Sequence, residues 1–171
     1  MLDRLFDFVS QVWQHLVPWV VLAEYERGII LRLGRFHREL GPGLHWCIPF
    51  GVEECMYDNV VVDTFSLPPQ SLTTADDVTI VVRANILWTI SNLKTLMLGT
   101  ESKEGVVYTT TQGAIAQYVA ANEWADLGVE AWPEIAQLAR DRAAPFGIEI
   151  QSVEIVDLSR SRSIRLWQPG S

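Results

Sequence analysis

Residues 78–90 carry the most constraining pattern in the chain. Val78, Ile80, Val82, Ala84, Ile86, Trp88 and Ile90 all fall on even positions, while Thr79, Arg83, Asn85 and Thr89 fall on odd ones. Side chains alternate across a strand, so this spacing predicts a strand with one core face and one mostly wet face. That is the signature of an antiparallel sheet covered on one side. Asp76-Asp77 stands just before it and reads as a hairpin turn after residues 71–74. Two adjacent carboxylates also fit a metal or an acid–base pair, but turn chemistry accounts for them more simply.

Helices are expected next. Ser91 is read as the cap of a short helix over 92–98 that stops at Gly99. A longer helix spans roughly 103–121, with Val107, Ala114, Ile115, Tyr118 and Val119 inward. A third covers about 132–144, with Pro133 in its first turn and Ile135, Ala136, Ala139 and Ala143 on one side; Pro145 and Gly147 end it. A final strand runs over 148–158. Ile148 and Ile150 share one phase and Val153 and Ile155 the other, which a bulge near Gln151-Ser152 reconciles. Strands followed by helices and a returning strand define an α+β fold.

Upstream, Gly28 opens an extended run in which Ile29, Leu31 and Leu33 share one side, and Gly34 closes it. A basic loop follows. Gly41, Pro42 and Gly43 form a structural turn, since proline fixes one φ and glycine permits positive φ. A second short strand spans 44–48 and stops at Pro49. Residues 54–67 are rich in β-formers with imperfect alternation, as in a doubly buried or bulged strand, and Pro68-Pro69 ends it. Cys47 and Cys55 are read as buried or half-buried thiols rather than a disulfide framework. A metal site of His45, Cys47 and Cys55 lacks a fourth ligand.

Residues 2–17 read as an amphipathic helix. Leu2, Leu5, Phe6, Val9, Val12, Trp13, Leu16 and Val17 recur at spacings of three and four, and Phe8 breaks the pattern. Pro18 ends or kinks it, and Trp19, Val20 and Val21 begin a short apolar run. A spanning helix needs roughly 20 mainly apolar residues, and Asp3, Arg4, Asp7, Gln11, Gln14, His15 and Pro18 interrupt any such window. Asp3 and Asp7 also spoil the basic start of a signal peptide. An interfacial helix, a re-entrant hairpin and a helix packed on protein all stay open. Arg27, Arg32, Arg35 and Arg38 follow at once and suit anionic head groups. Basic excess there favours a main domain on the cytoplasmic side if the segment inserts.

The 171 residues are 49% hydrophobic and 20% charged, which excludes a disordered chain and an ordinary multispan protein. The formal charge of -8 argues against general nucleic-acid binding. Seven tryptophans favour an interface. Catalytic and cofactor sites are not expected. His15, His37 and His45 lack a partnered nucleophile, the Ser91–Lys94 string stands without the other acyl-transfer motifs, and a phosphate-cradling glycine loop is missing.

Several linked motifs then matter together: Tyr25-Glu26-Arg27-Gly28, residues 31–36 (LRLGRF), 41–46 (GPGLHW), 48–50 (IPF), 67–70 (LPPQ), 74–79 (TADDVT) and 145–148 (PFGI). Over about 21–158 the chain resembles the stomatin-like SPFH, or band 7, superfamily of stomatin, prohibitin, flotillin and HflK/HflC. The resemblance implies a membrane-associated segment (1–23), an SPFH1-like β subdomain (24–68), an SPFH2-like α/β subdomain (69–158) and a C-terminal tail (159–171), which reads as either a mobile end or a small strand added to a neighbouring subunit. It implies a non-enzymatic scaffold on membrane lipids, self-associating into a ring or lateral oligomer, that organises a membrane patch and regulates membrane proteins such as a protease. Only about a dozen residues follow the last strand, where such proteins continue into a long helix. The alternative expectation is therefore a short module that co-assembles with other SPFH proteins.

Overall fold

The alternating run becomes the spine of the larger of two β-structures. The computed structural model describes residues 19–161. Its strands are β1 (Trp19–Leu22), β2 (Glu26–Arg32), β3 (Arg35–Leu40), β4 (Gly43–Trp46), β5 (Glu53–Asn59), β6 (Asp63–Ser66), β7 (Gln70–Thr73), β8 (Thr79–Ile90) and β9 (Ile148–Arg160). Its helices are α1 (Leu93–Gly99), α2 (Lys103–Ala121) and α3 (Trp132–Ala143). This is the mixed α+β arrangement expected, rich in antiparallel strands. Residues 2–17 lie outside the described part.

In the larger half, β8 pairs with β6 and β7 along one edge and with β9 along the other. Its even residues from Ile80 to Ile90 are buried as the alternation requires. Helices α2 and α3 bury Val107, Ala114, Ile115, Val119, Ile135, Ala136, Ala139 and Ala143 in the same core. Tyr118 is only half-buried, whereas Thr111, not expected inside, is fully covered. The bulge is where the phase change put it: Leu87 pairs with Ser152 and Trp88 with Ile150, leaving Gln151 over. A second, unforeseen bulge leaves Val156 over. Ser159 and Arg160, read as tail, continue β9 opposite Val81 and Ile80 of the same chain.

The smaller half stacks the β1–β4 ribbon on the sheet β3-β2-β5. Leu22, Ile30 and Leu40 form its buried centre, with Val20, Cys47 and Cys55 packed around them. Four expectations need correction here. The basic loop is strand β3, because Leu33-Gly34 makes a tight hairpin that returns it along β2. Ile29 and Ile30 are both buried, and Leu33 is not, because the ribbon covers one face of β2 and α1 packs on the other. The run 54–67 is two strands in different sheets, broken at Val60–Val62, so the chain changes sheets before Pro68-Pro69. The cysteines are joined in a disulfide, since the turn after β4 brings Cys47 back onto β5.

The halves meet through Val60, whose N–H donates to Tyr25 O (3.0 Å) and whose carbonyl accepts from Thr89 Oγ1 (2.9 Å). Lys103 Nζ pairs with Asp58 at 2.7 Å, and Lys94 Nζ sits 4.0 Å from the Phe36 ring centre. Asn92, not Ser91, caps α1, accepting from Thr95 N–H at 2.9 Å. Ser91 and Asn92 instead donate their backbone N–H groups to Gly147 O.

Candidate membrane-facing surface

The β1–β4 register sorts the ribbon into two faces. Val20, Leu22 and His45 point toward the small core. Trp19 lies opposite Trp46, and Val21 opposite Leu44, on the other face. All four are exposed, and the two indole rings are 6.2 Å apart between centres. An antiparallel ribbon in water normally carries polar residues outward. This one carries a continuous apolar strip directly after residue 18.

Two turns beside the strip present large apolar residues in a backbone region that favours glycine. Leu33 and Gly34, with φ of +51° and +76°, form the two-residue turn between β2 and β3. Leu33 is 76% exposed. Phe50 and Gly51, with φ of +67° and +73°, form the turn between β4 and β5, and Phe50 is 79% exposed. A left-handed conformation costs a non-glycine residue about 1–3 kcal/mol, so the surrounding contacts must hold each tip. The Leu33 N–H donates to Val52 O at 2.9 Å and ties the two turns together.

Charge is arranged around these tips. Arg32 stands opposite Glu53, donating to Oε1 from Nε (2.9 Å) and Nη2 (2.7 Å), and Glu53 Oε2 accepts the Ile48 N–H at 2.8 Å. The Ile48 amide first, then Arg32, holds the Glu53 carboxyl below the usual carboxylate range. Arg38 Nη2 donates to Trp46 O at 2.9 Å, and Arg27 donates to Glu24 O and Glu26 O. Three of the four arginines grouped by sequence therefore serve their own chain. Arg35 is exposed at the mouth of the Leu33 turn, opposite Arg32. Like charges facing each other on a hairpin repel, and Glu53 or an external anion offsets that.

At the turn into β4, Gly43 has φ +115° and His45 Nε2 donates to Gly41 O at 2.6 Å. His45 thus turns to the backbone, and both sulfurs are used in the disulfide. Lys94 Nζ lies over the Phe36 ring.

Of the expected anchor residues, Leu2, Leu5, Phe6, Phe8, Val9, Val12, Trp13, Leu16 and Val17 lie outside the described part, while Trp19, Val20 and Val21 belong to β1. Sequence reasoning missed Leu33, Leu44, Trp46, Ile48 and Phe50. The available signal was an apolar residue next to each of three glycine turns: Leu33 before Gly34, Leu44 after Gly43 and Phe50 before Gly51. Among the described residues no helix is long and apolar enough to cross a membrane.

The sequence profile described as SPFH domain / Band 7 family matches residues 20–165. Stomatin-4 of Caenorhabditis elegans is 31% identical over 143 residues, covering 81% of this chain and 50% of that protein. An uncharacterized protein of Archaeoglobus fulgidus is 28% identical over 152 residues, covering 85% of this chain and 59% of that protein. Mechanosensory protein 2 of Caenorhabditis elegans is 30% identical over 145 residues, covering 81% of this chain and 30% of that protein. The chain thus spans 30% to 59% of the length of these relatives.

Proposed function

The chain belongs to the SPFH domain / Band 7 family, and from that premise we propose that it is a non-enzymatic, membrane-associated scaffold whose small β half rests on the lipid surface. The observation that carries this reading is the outward strip of Trp19, Val21, Leu44 and Trp46 beside the exposed tips of Leu33 and Phe50. Burying apolar surface yields about 25 cal/mol per Å², and tryptophan suits the head-group boundary, where the ring is covered and its N–H stays wet. Arg35 stands beside the Leu33 tip, and a basic side chain near acidic lipid contributes about 1 kcal/mol. Amphipathic contact of this kind scales with the apolar area buried plus attraction to anionic lipid.

Such contact is weak for one copy, and side-by-side assembly multiplies it through effective concentration. The outer edge of β9 supports assembly. Arg140 covers its start by donating to Ile150 O (2.7 Å) and Gln151 O (2.9 Å), which leaves the stretch from Ser152 onward as the part able to pair. Confining or regulating membrane proteins, proteases among them, is the work this assembly would do.

The test is flotation of the full chain with phosphatidylcholine vesicles containing or lacking phosphatidylserine. Leu33→Asp with Phe50→Asp should lower binding at least roughly tenfold, because a buried aspartate strongly disfavours the membrane interface. Arg35→Gln should lower only the phosphatidylserine-dependent part. Unchanged binding in the double variant would sink the reading.

A further inference from the structure

We propose that the Cys47–Cys55 disulfide is a redox latch that holds the Phe50 turn in its projecting form, and that opening it weakens membrane contact. The second clause rests on the membrane reading above; the first does not. The two cysteines are eight positions apart and close a ring around the turn that presents Ile48 and Phe50. Apart from that bond the turn is held by a few surface hydrogen bonds: Glu53 Oε2 with Ile48 N–H (2.8 Å), Glu53 N–H with Ile48 O (3.2 Å) and Leu33 N–H with Val52 O (2.9 Å). Phe50 occupies the left-handed region at φ +67°, which a bulky residue leaves unless its neighbours prevent it.

The location of the bond makes it both consequential and reachable. Its sulfurs pack on Leu22, Ile30 and Leu40, the only side chains that the small core buries fully in one cluster among the described residues. Both cysteines are nonetheless only half-buried, so a small dithiol gains access. Exchange proceeds by attack of a reductant thiolate on one sulfur, giving a mixed disulfide, which the reductant's second thiol resolves. The reductant leaves as a disulfide, having given two electrons, and Cys47 and Cys55 take up two protons as thiols. The turn then loses its covalent closure, and Phe50 is free to leave the left-handed region. Reducing compartments keep the thiols apart and oxidising ones keep the latch shut, so a domain on the cytoplasmic side would hold the latch open and one on an oxidising side would hold it closed.

The experiment compares the full chain after air oxidation and after dithiothreitol, with thiols counted by alkylation and mass spectrometry. Chymotrypsin cleavage after Phe50 reports the turn without any membrane. Flotation on phosphatidylserine-containing vesicles reports the contact. Wild-type chain in both redox states carries the comparison, and Cys55→Ser serves as a check that the effect follows this bond. The expected result is cleavage roughly tenfold faster in the reduced chain, as a locally opened turn allows, with vesicle binding lowered several-fold. Equal cleavage in the two states, or free thiols after oxidation, overturns the latch. Faster cleavage with unchanged vesicle binding overturns its coupling to the membrane. Redox-dependent cleavage in a chain that binds vesicles in neither state supports the latch and sinks the membrane reading.

Discussion

The two halves of the molecule are held by different physics. The larger half packs β8, β9, α2 and α3 around one contiguous apolar core, from Leu67 to Val153. The smaller half buries Leu22, Ile30 and Leu40 and adds a disulfide, the Arg32–Glu53 pair and backbone ties between turns. Small cores supply little stability and are commonly supplemented by cross-links. The larger half should therefore answer to changes of volume and backbone fit. The smaller half should answer to redox state and pH, and it spends its remaining apolar residues outward.

The largest effect is expected at the junction of α3 and β9. Gly147 has φ +77°, and a Cβ there would lie 2.3 Å from Asn92 O. That carbonyl belongs to the backbone that caps α1 and cannot swing away as a side chain would. Gly147→Ala should lose more than about 3 kcal/mol in urea unfolding, combining left-handed strain with a clash. A loss near that of an ordinary surface substitution would show that α1 and β9 are not locked together. Next comes Ile115→Ala, at a fully buried position of α2. Deleting so much buried volume costs about 2–5 kcal/mol, and the loss should appear in a global unfolding transition.

How much of this was legible follows from the same contrast. The core strand β8 and helices α2 and α3 each bury one face, so their periods could be read from Val78–Ile90, from Val107–Val119 and from Ile135–Ala143. The Gln151 bulge was legible because both phases of β9 carry isoleucine or valine. In the small half the periods mislead. Strand β2 is covered on both faces, so Ile29 and Ile30 are buried together and Leu33 projects. Strand β3, with Arg35, His37, Arg38 and Glu39, looks like a solvated loop until the Leu33-Gly34 turn returns it to β2. Trp19 and Val21 were recognised as an apolar run, but Leu44 and Trp46 join them only through the pairing of β1 with β4, a long-range contact that no local pattern announces.

A third test separates the halves directly. Replacing both cysteines by alanine opens a short ring, for which the chain-entropy estimate is about 2–3 kcal/mol. In hydrogen exchange the loss should be confined to residues 43–59 and β1, while β8 amides keep their protection. Equal loss across both halves would mean that they unfold as one unit and that the contrast drawn here is wrong.

The smallest effect is on the acid side, and its sign follows from Glu53. Its folded carboxyl is lowered from 4.5 by the Ile48 N–H first and by Arg32 next, with His37 adding a smaller attraction. A lowered acid stabilises the fold fully above its unfolded value, and the contribution fades as pH falls through the folded value. Exchange of the Ile48 amide should therefore quicken, relative to its intrinsic rate, only below about pH 4.5. Asp76 is lowered too, by the Thr74 hydroxyl and the Trp124 N–H, and it belongs to the β7–β8 turn of the larger half. Glu53→Gln should then remove the acid response at Ile48 while leaving that at Trp124 in place. If the substitution abolishes both, the two turns are coupled through the Val60 junction and the smaller half does not open by itself. If it abolishes neither, another carboxyl drives the acid response at Ile48, and the Glu53 carboxylate is not what holds the Phe50 turn.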